Sequence, residues 1–251
     1  MIDLTTSGAV AWARFNRPDK LNAMPRSFWG DLHTVLDRVE SDPAIRVLVF
    51  HGEGRAFSVG GDLDGFGALG DTDDRRRYMK EALGAYRRVE ELDKPTIAAV
   101  HGHAMGGGCE LTIVCDIVVA DTTARFAMPE SRVGLVPGLG VVRGHSQLNL
   151  HWMKYLVLTG ETIDAEEARL AGLVNRVVPE GEHVAEADRL AQAIAARAPL
   201  ALDVGKRVLN RHSGEGWSHG IEAIALLQGT KDMAEGLQAF QERREPTFEG
   251  R

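Results

Sequence analysis

The chain has 251 residues, of which 44% are hydrophobic and 26% charged, a mix typical of a soluble globular protein with one large domain. Acidic residues outnumber basic ones by 36 to 29, which gives a net charge of −7 and disfavours a nucleic-acid-binding protein. Two cysteines, Cys109 and Cys115, cannot hold together a disulfide scaffold of this length. Because no apolar run approaches the ~20 residues of a membrane span and the N-terminus lacks a signal-peptide pattern, we expect a cytoplasmic protein without a membrane partner.

The first predicted elements alternate between strand and helix. Residues 9–15 and 45–51 have the composition of strands, and the second is a nearly continuous apolar run of the buried type. Between them, over about 25–40, apolar residues recur every three or four positions, which predicts an amphipathic helix. A strand, a helix and a further strand in this order predict a parallel crossover unit.

The pattern changes after Val178. Before that residue, three more strands are predicted, at 96–100, 116–120 and 173–178. After it, segments rich in Ala, Leu and charge predict helices only, at 182–198, 199–211, 218–229 and 232–244. We therefore expect an α/β body followed by a helical C-terminal region.

Two glycine-rich stretches follow predicted strands, at 52–62 and 102–108. The second lacks the Lys-Ser or Lys-Thr of a phosphate loop, because Cys109 and Glu110 follow it, and it does not match the dinucleotide pattern GxGxxG. Glycines at such positions serve either close strand–helix packing or the approach of a ligand to backbone N–H groups. In the second case the two turns would form the two halves of an oxyanion hole.

The histidines and cysteines near the second turn do not predict a metal centre. His101 and His103 form a His-x-His pair near Cys109, but no further ligand follows at a recognisable spacing. Cys109 and Cys115 lie among apolar residues, which favours small buried side chains over nucleophiles.

Six segments, in chain order, resemble the crotonase superfamily and specifically its enoyl-CoA hydratases and isomerases. They are NRPDKLNAM (16–24), RAFSVGGDL (55–63), AVHGHAMGGGCELTIVCDIVVAD (99–121), FAMPESRVGLVPGLG (126–140), TGETIDAEEARLAGLVNRVVP (159–179) and DMAEGLQAFQERREPTF (232–248). The resemblance implies an α/β fold in which residues 1–180 form a spiral of ββα units with the CoA-thioester site. It implies that residues 181–251 form a helical region that builds a homotrimer or homohexamer. It also implies an acyl-CoA substrate of lipid metabolism and no cofactor beyond the CoA of that substrate.

The resemblance also assigns site residues. The backbone N–H groups of Gly61 and Gly107 would bind the thioester oxygen, and Glu110 and Glu130 would be the acid–base pair. Glu110 lies three residues after Gly107, and Glu130 lies twenty residues further on in a Pro-Glu pair. By the same resemblance, the substrate would be bound by Lys20, Leu21, Val59, Gly61, Asp62, Leu63, Phe66, Gly107 and Pro137, with the helix from about Asp74 as a further wall.

These residues favour hydration of a 2-enoyl-CoA to a 3-hydroxyacyl-CoA. Addition of water needs a base for the water and an acid for the α-carbon, and Glu110 and Glu130 can supply both. An isomerase can manage with one glutamate at the second position, so retention of Glu110 favours hydration. Segment 141–149 (VVRGHSQLN) departs from the Gly-Thr-Gln-Arg-Leu of many hydratases. An isomerase, decarboxylase or hydrolase acting on another CoA thioester, and a non-catalytic acyl-CoA-binding protein, therefore stay open as alternatives.

Overall fold

The computed structural model describes residues 1–63, 70–210, 225, 228–244 and 246. Over these residues the chain forms two sheets. The larger sheet has the order β1 (Ile2–Ser7), β2 (Val10–Phe15), β3 (Val47–Gly52), β5 (Thr96–Val100), β7 (Ile117–Asp121) and β10 (Arg176–Val178). The smaller sheet has the order β4 (Ala56–Ser58), β6 (His103–Met105), β8 (Arg125–Ala127) and β9 (Ile163–Asp164).

The larger sheet is parallel except at its first pair. Strands β1 and β2 form an antiparallel hairpin, and β2 then pairs with β3 in parallel after the chain has passed through α1 (Phe28–Ser41). This confirms the predicted crossover, and the other predicted strands are found within three residues of their expected starts. Strand β1 was not predicted, because its sequence IDLTTS has only two apolar residues and none of its side chains is buried. The strands of the smaller sheet were not predicted either, since two or three residues carry too little periodicity to identify a strand.

A repeated strand–strand–helix unit places the glycine-rich turns. Strand β3 leads into β4 and then α2 (Thr72–Glu91), and β5 leads into β6 and then α3 (Gly107–Val114). Each unit thus passes from the larger sheet to the smaller one and then into a helix, which is the spiral of ββα units that the resemblance implied. Because β4 and β6 are parallel neighbours, the turns that follow them lie side by side.

Helices dominate the second half of the described chain. They are α4 (Leu150–Thr159), α5 (Ala165–Ala171), α6 (His183–Ala195), α7 (Pro199–Leu209) and α8 (Lys231–Glu242). A π-helical turn, Gly140–Gly144, and a short helix, His145–Gln147, precede α4. Three of the four predicted C-terminal helices are confirmed, and the one at 218–229 lies almost entirely outside the described residues. None of the described helices is long and apolar enough to span a bilayer.

The hydrophobic core lies on both faces of the larger sheet. On one face, α1, α2 and α3 pack around a cluster that includes Phe15, Phe28 and Phe57, whose rings meet edge-on with centroids 5.3 and 5.7 Å apart. On the other face, Ala187 and Ala191 of α6 pack against valines and isoleucine of β3, β5 and β7. Helix α6 therefore belongs to the packing of the sheet, although it lies in the region 181–251 that the sequence separates as helical.

Candidate active site

A cavity of about 610 Å³ opens where the two glycine-rich turns meet, within the usual size range of small-molecule sites. Its walls come from the turns themselves, from α1 and α2, and from the segment between β8 and the π-helical turn. The described residues that line it include Lys20, Trp29, Val59, Gly61, Asp62, Leu63, Tyr78, Tyr86, Gly107, Glu110, Glu130, Arg132 and Leu135.

The first turn presents the N–H of Gly61. Gly60 has a φ of +82°, a conformation that favours glycine. Met24 holds the turn from both sides, because its N–H donates to the Gly60 carbonyl at 2.8 Å and its own carbonyl accepts from the Asp62 N–H at 2.9 Å. The N–H of Gly61, between these two bonds, has no hydrogen-bond acceptor among the described residues.

The second turn presents the N–H of Gly107. This residue begins α3, and the first N–H groups of a helix have no partner within the helix. A Cβ at Gly60 would lie 2.8 Å from the Gly107 nitrogen, and a side chain at Gly108 would collide with the Ser58 carbonyl. The two turns are therefore in direct contact, and within the described structure the Gly107 N–H has no acceptor. Two N–H donors that lack an acceptor among the described residues, at one cavity wall, form the arrangement expected for an oxyanion hole.

Glu110 follows Gly107 by one helical turn and is buried, with 6% of its surface exposed. Its Oε1 accepts hydrogen bonds from the N–H of Leu139 at 2.6 Å and from that of Gly140 at 3.0 Å. Burial raises the pKa of Glu110, whereas these two N–H groups oppose that rise because they stabilise the anion. The backbone is thus arranged to hold Glu110 as a carboxylate.

Glu130 lies across the cavity in a 3-10 turn, Pro129–Val133. Its Oε1 lies beside the second glycine-rich turn, 2.8 Å from where a Cβ at Gly106 would be. Its Oε2 is buried without a hydrogen-bond partner in the described part of the chain. Burial, together with the negative charge of Glu110, raises the pKa of Glu130 to about 8. Burial and the charge of Glu110 thus favour the acid form of Glu130, whereas the two N–H bonds favour the anion of Glu110.

An aromatic wall closes one side of the cavity. Trp29 of α1 contacts Tyr86 of α2 edge-on, with ring centroids 5.1 Å apart, and contacts Tyr78 at 6.4 Å. The Tyr86 hydroxyl donates to the Gly107 carbonyl at 2.7 Å. The sequence indicated the helix near Asp74 as a wall, but it did not indicate Trp29. The three-to-four spacing that predicted α1 identifies the face of the helix that is buried, and it does not show that a cavity lies beside that face.

The residues expected to bind substrate fall into two groups. Lys20, Val59, Asp62 and Leu63 line the cavity, and Asp62 pairs with Arg17 at 2.6 Å. Two others, Leu21 and Pro137, are not among the described lining residues. The Leu21 carbonyl accepts from the Val59 N–H at 3.2 Å, and Pro137 packs against Gly140. Phe66 lies outside the described residues.

The unusual segment 141–149 adds no polar group to the described cavity lining. Arg143 is 5% exposed and forms an ion pair with Glu90 of α2, whereas His145 is exposed. Among the described residues there is no cluster of three or more His, Cys, Asp or Glu side chains that could hold a metal ion.

Comparison with known proteins identifies the class of protein that this fold and site define. A solved structure of a carnitinyl-CoA hydratase from Mycobacterium avium superimposes with a TM-score of 0.88, at 34% identity, over 100% of this chain and 98% of that one. The chain thus has the crotonase fold of CoA-thioester enzymes. The family model for enoyl-CoA hydratase/isomerase matches residues 5–251. The chain belongs to the enoyl-CoA hydratase/isomerase family.

Two curated relatives cover nearly the whole chain. A 2,3-dehydroadipyl-CoA hydratase of Escherichia coli is 35% identical over 94% of this chain and 93% of its own length. A short-chain-enoyl-CoA hydratase of Clostridium acetobutylicum is 34% identical over 96% of this chain and 94% of its own length. The names of these relatives share the reaction and differ in the acyl group.

Proposed function

We propose that this enzyme adds water to the double bond of a 2-enoyl-CoA and releases a 3-hydroxyacyl-CoA. The observation that carries the proposal is a pair of carboxyl groups at one cavity, the buried Glu110 and the partly exposed Glu130, whose Oε2 atom is buried. The same cavity wall has two backbone N–H donors that lack an acceptor among the described residues. The two carboxyl groups have opposite tendencies, since two N–H bonds favour the anion of Glu110 whereas burial and charge favour the acid form of Glu130.

In this mechanism the thioester oxygen lies between the N–H groups of Gly61 and Gly107. The Glu110 carboxylate accepts a proton from water as the water oxygen bonds to the β-carbon. The electrons of the double bond move towards the thioester oxygen, and the two N–H groups stabilise the enolate that forms. Glu130 then donates its proton to the α-carbon. Return of the proton from Glu110 to Glu130 restores the starting state, so the net change is the addition of one water.

The binding side of the proposal assigns the CoA portion to the edge of the cavity formed by Lys20, Val59, Asp62 and Leu63. The Lys20 ammonium supplies a positive charge for the phosphates of CoA. The pairing of Asp62 with Arg17 reduces the repulsion that a carboxylate would exert on an anionic ligand. Leu21 supports this edge through its hydrogen bond with Val59, whereas Pro137 contacts Gly140 on the Glu110 side of the cavity. No cofactor beyond the CoA of the substrate enters the mechanism.

We further propose that the enzyme is a homotrimer or homohexamer of the cytoplasm, with the helical region 181–251 forming subunit contacts. The support is an apolar stripe on α7, where Leu200, Val204 and Val208 are spaced by four residues and are more than half exposed. Such a stripe is typical of a covered surface. Light scattering after gel filtration measures the assembly, and Val204→Glu should shift it towards the monomer.

The assay that tests the function follows loss of the enoyl-thioester absorbance with crotonyl-CoA and with a longer 2-enoyl-CoA. We expect rapid loss with the wild-type protein and a fall in kcat of about 10²- to 10⁴-fold in Glu110→Gln and in Glu130→Gln. Glu180→Gln, which changes an exposed glutamate, is the matched control and should retain full activity.

A second substrate separates hydration from isomerisation. With a 3-enoyl-CoA, an isomerase would produce absorbance at the wavelength where a hydratase consumes it. Wild-type protein that binds both thioesters but consumes no 2-enoyl-CoA would refute the proposed hydration. Conversion of the 3-enoyl-CoA by Glu110→Gln would then favour the isomerase alternative.

A further inference from the structure

Helix α2 buries two polar side chains, Tyr86 and Glu90, on the face that it turns towards the active site. They are four residues apart, so they lie one above the other on the same face of the helix. Each is only 2% exposed. Burial of a carboxyl group is costly unless it is paired, so a pair of buried polar groups at this place needs a reason.

Tyr86 contacts the half of the site that contains the second N–H donor. Its hydroxyl donates to the carbonyl of Gly107 at 2.7 Å, and its ring is held edge-on by Trp29. Burial and the nearby charges of Glu110 and Glu130 raise the pKa of Tyr86 well above its ordinary value, so the hydroxyl remains a hydrogen-bond donor. The hydroxyl therefore fixes the first residue of α3 relative to α2.

Glu90 contacts the half of the site that holds Glu110. It pairs with Arg143, and Arg143 lies in the π-helical turn Gly140–Gly144, where its N–H donates to the Leu139 carbonyl at 2.7 Å. The N–H groups of Leu139 and Gly140 are the two donors to Glu110. A continuous set of contacts thus runs from α2 through Arg143 to the catalytic carboxylate.

We propose that Tyr86 and Glu90 are positioning residues through which α2 sets the distance between the oxyanion turn at Gly107 and the carboxylate of Glu110. Tyr86 acts on Gly107, and Glu90 acts on Glu110 through Arg143. Neither is required to touch the reacting atoms. This assignment rests on the proposed hydratase function, so its test includes a measurement that does not depend on turnover.

Two variants test the contacts of Tyr86 and of Glu90 separately. Tyr86→Phe removes only the hydroxyl, and we expect kcat to fall by about 3- to 10-fold, the range for loss of one hydrogen bond. In the ion pair of Glu90 with Arg143, removal of one partner would leave the other as an unpaired buried charge. The double variant Glu90→Leu/Arg143→Met therefore replaces both side chains with apolar groups of similar size. We expect about a 10-fold fall in kcat with KM changed less than about twofold, since the interaction acts on a reacting group.

The pH profile distinguishes positioning from general stabilisation. Among the described residues, the titratable groups that interact electrostatically with Glu110 include Glu130, Tyr86, Tyr78 and Cys109. If the double variant loosens the bonds from Leu139 and Gly140 to Glu110, the pKa of Glu110 rises, because those bonds favour the anion. The acidic limb of kcat/KM should then move by about one pH unit towards higher pH, whereas Tyr86→Phe should leave that limb in place.

Lys206→Met is the matched control. Lys206 is buried and pairs at 2.8 Å with Asp116, which is more exposed, and its ammonium contacts the carbonyls of Val89 and Lys94 near the end of α2. Lys206 interacts with Glu90 only through its charge, and the described hydrogen bonds do not connect it to Glu110 or Gly107. We expect Lys206→Met to lower the melting temperature without moving the acidic limb of the pH profile of kcat/KM.

Hydrogen–deuterium exchange of the unliganded proteins completes the test. The double variant should exchange faster than wild type in the peptide that contains Leu139 and Gly140, and Tyr86→Phe in the peptide that contains Gly107. If the variants exchange faster but the wild-type protein does not turn over 2-enoyl-CoA, the positioning roles are supported and the proposed hydratase function is refuted. Normal wild-type turnover, with unchanged exchange and an unchanged pH limb in the variants, would overturn the positioning roles.

Discussion

Substitution of Glu130 by glutamine should make the protein more stable at alkaline pH while it lowers kcat by about 10²- to 10⁴-fold. The pKa of Glu130 is raised from 4.5 to about 8, because the carboxyl is buried and lies near the charge of Glu110. Between these two values the folded protein binds the proton more tightly than the unfolded chain does. The free energy of unfolding therefore falls as pH rises through this window.

The size of the effect follows from the width of the window. At about 1.4 kcal/mol for each pH unit, a pKa raised from 4.5 to about 8 corresponds to an upper limit of about 5 kcal/mol at pH 9. Glutamine has nearly the same shape and no charge to desolvate, so Glu130→Gln escapes this penalty. We expect the variant to exceed the wild type by about 2–5 kcal/mol at pH 9 and to match it near pH 5.

Urea unfolding followed by circular dichroism at pH 5, 7, 8 and 9 measures the difference. Protein concentration must be the same throughout, because an assembly is stabilised by mass action. Glu180→Gln, at an exposed position, should follow the wild type at every pH. A difference between Glu130→Gln and the wild type that does not change with pH would refute the reasoning, and so would a variant that is less stable at pH 9.

Three further predictions concern the turns and a histidine. Gly61→Ala keeps the backbone donor and should retain activity, whereas Gly61→Pro removes the N–H and should lower kcat by about 10²- to 10³-fold in the crotonyl-CoA assay. Gly108→Ala should unfold at a lower temperature by calorimetry, because the added methyl group meets the Ser58 carbonyl; unchanged stability would contradict the close contact of α3 with β4. His51 has a pKa lowered to about 4, by burial and then by Arg14, so stability should fall as pH drops from 6.5 to 4. His51→Gln should reduce that fall by about 1–3 kcal/mol, measured as the difference in unfolding free energy between pH 7 and pH 5.

The sequence predicted the local parts of the site better than the parts that depend on distant contacts. The spacing of Gly107 and Glu110 within one helical turn is a local feature, and the structure has α3 begin at Gly107. The contact between the turns at Gly60 and Gly107 depends on the pairing of β4 with β6, which are about 45 residues apart in the chain. Three-residue strands carry no pattern of their own, so the resemblance to a known family had to supply that contact.

The segment NRPDKLNAM illustrates a residue whose role the sequence could not separate from its neighbours. Asn22 has a φ of +57° and is fully buried. Its side-chain amide donates to the carbonyls of Glu53 and Ala56, and its oxygen accepts from the Arg17 N–H. Asn22 therefore ties the Lys20 loop to the turn between β3 and β4. In the same segment Lys20 lines the cavity, so one motif contains both an architectural residue and a residue of the proposed CoA site.

The protonation states of the two glutamates follow from backbone placement more than from their side-chain neighbours. Both carboxyl groups are buried at one cavity, which alone would raise the pKa of each and leave their roles equivalent. The difference arises because the chain after Glu130 turns at Pro137 and brings the N–H groups of Leu139 and Gly140 onto Glu110, while Oε2 of Glu130 receives no donor from the described residues. Once Glu110 is held as the anion, its charge raises the pKa of Glu130 further. In the proposed mechanism, the π-helical turn that anchors Arg143 to α2 thus favours Glu110 as the base and Glu130 as the acid.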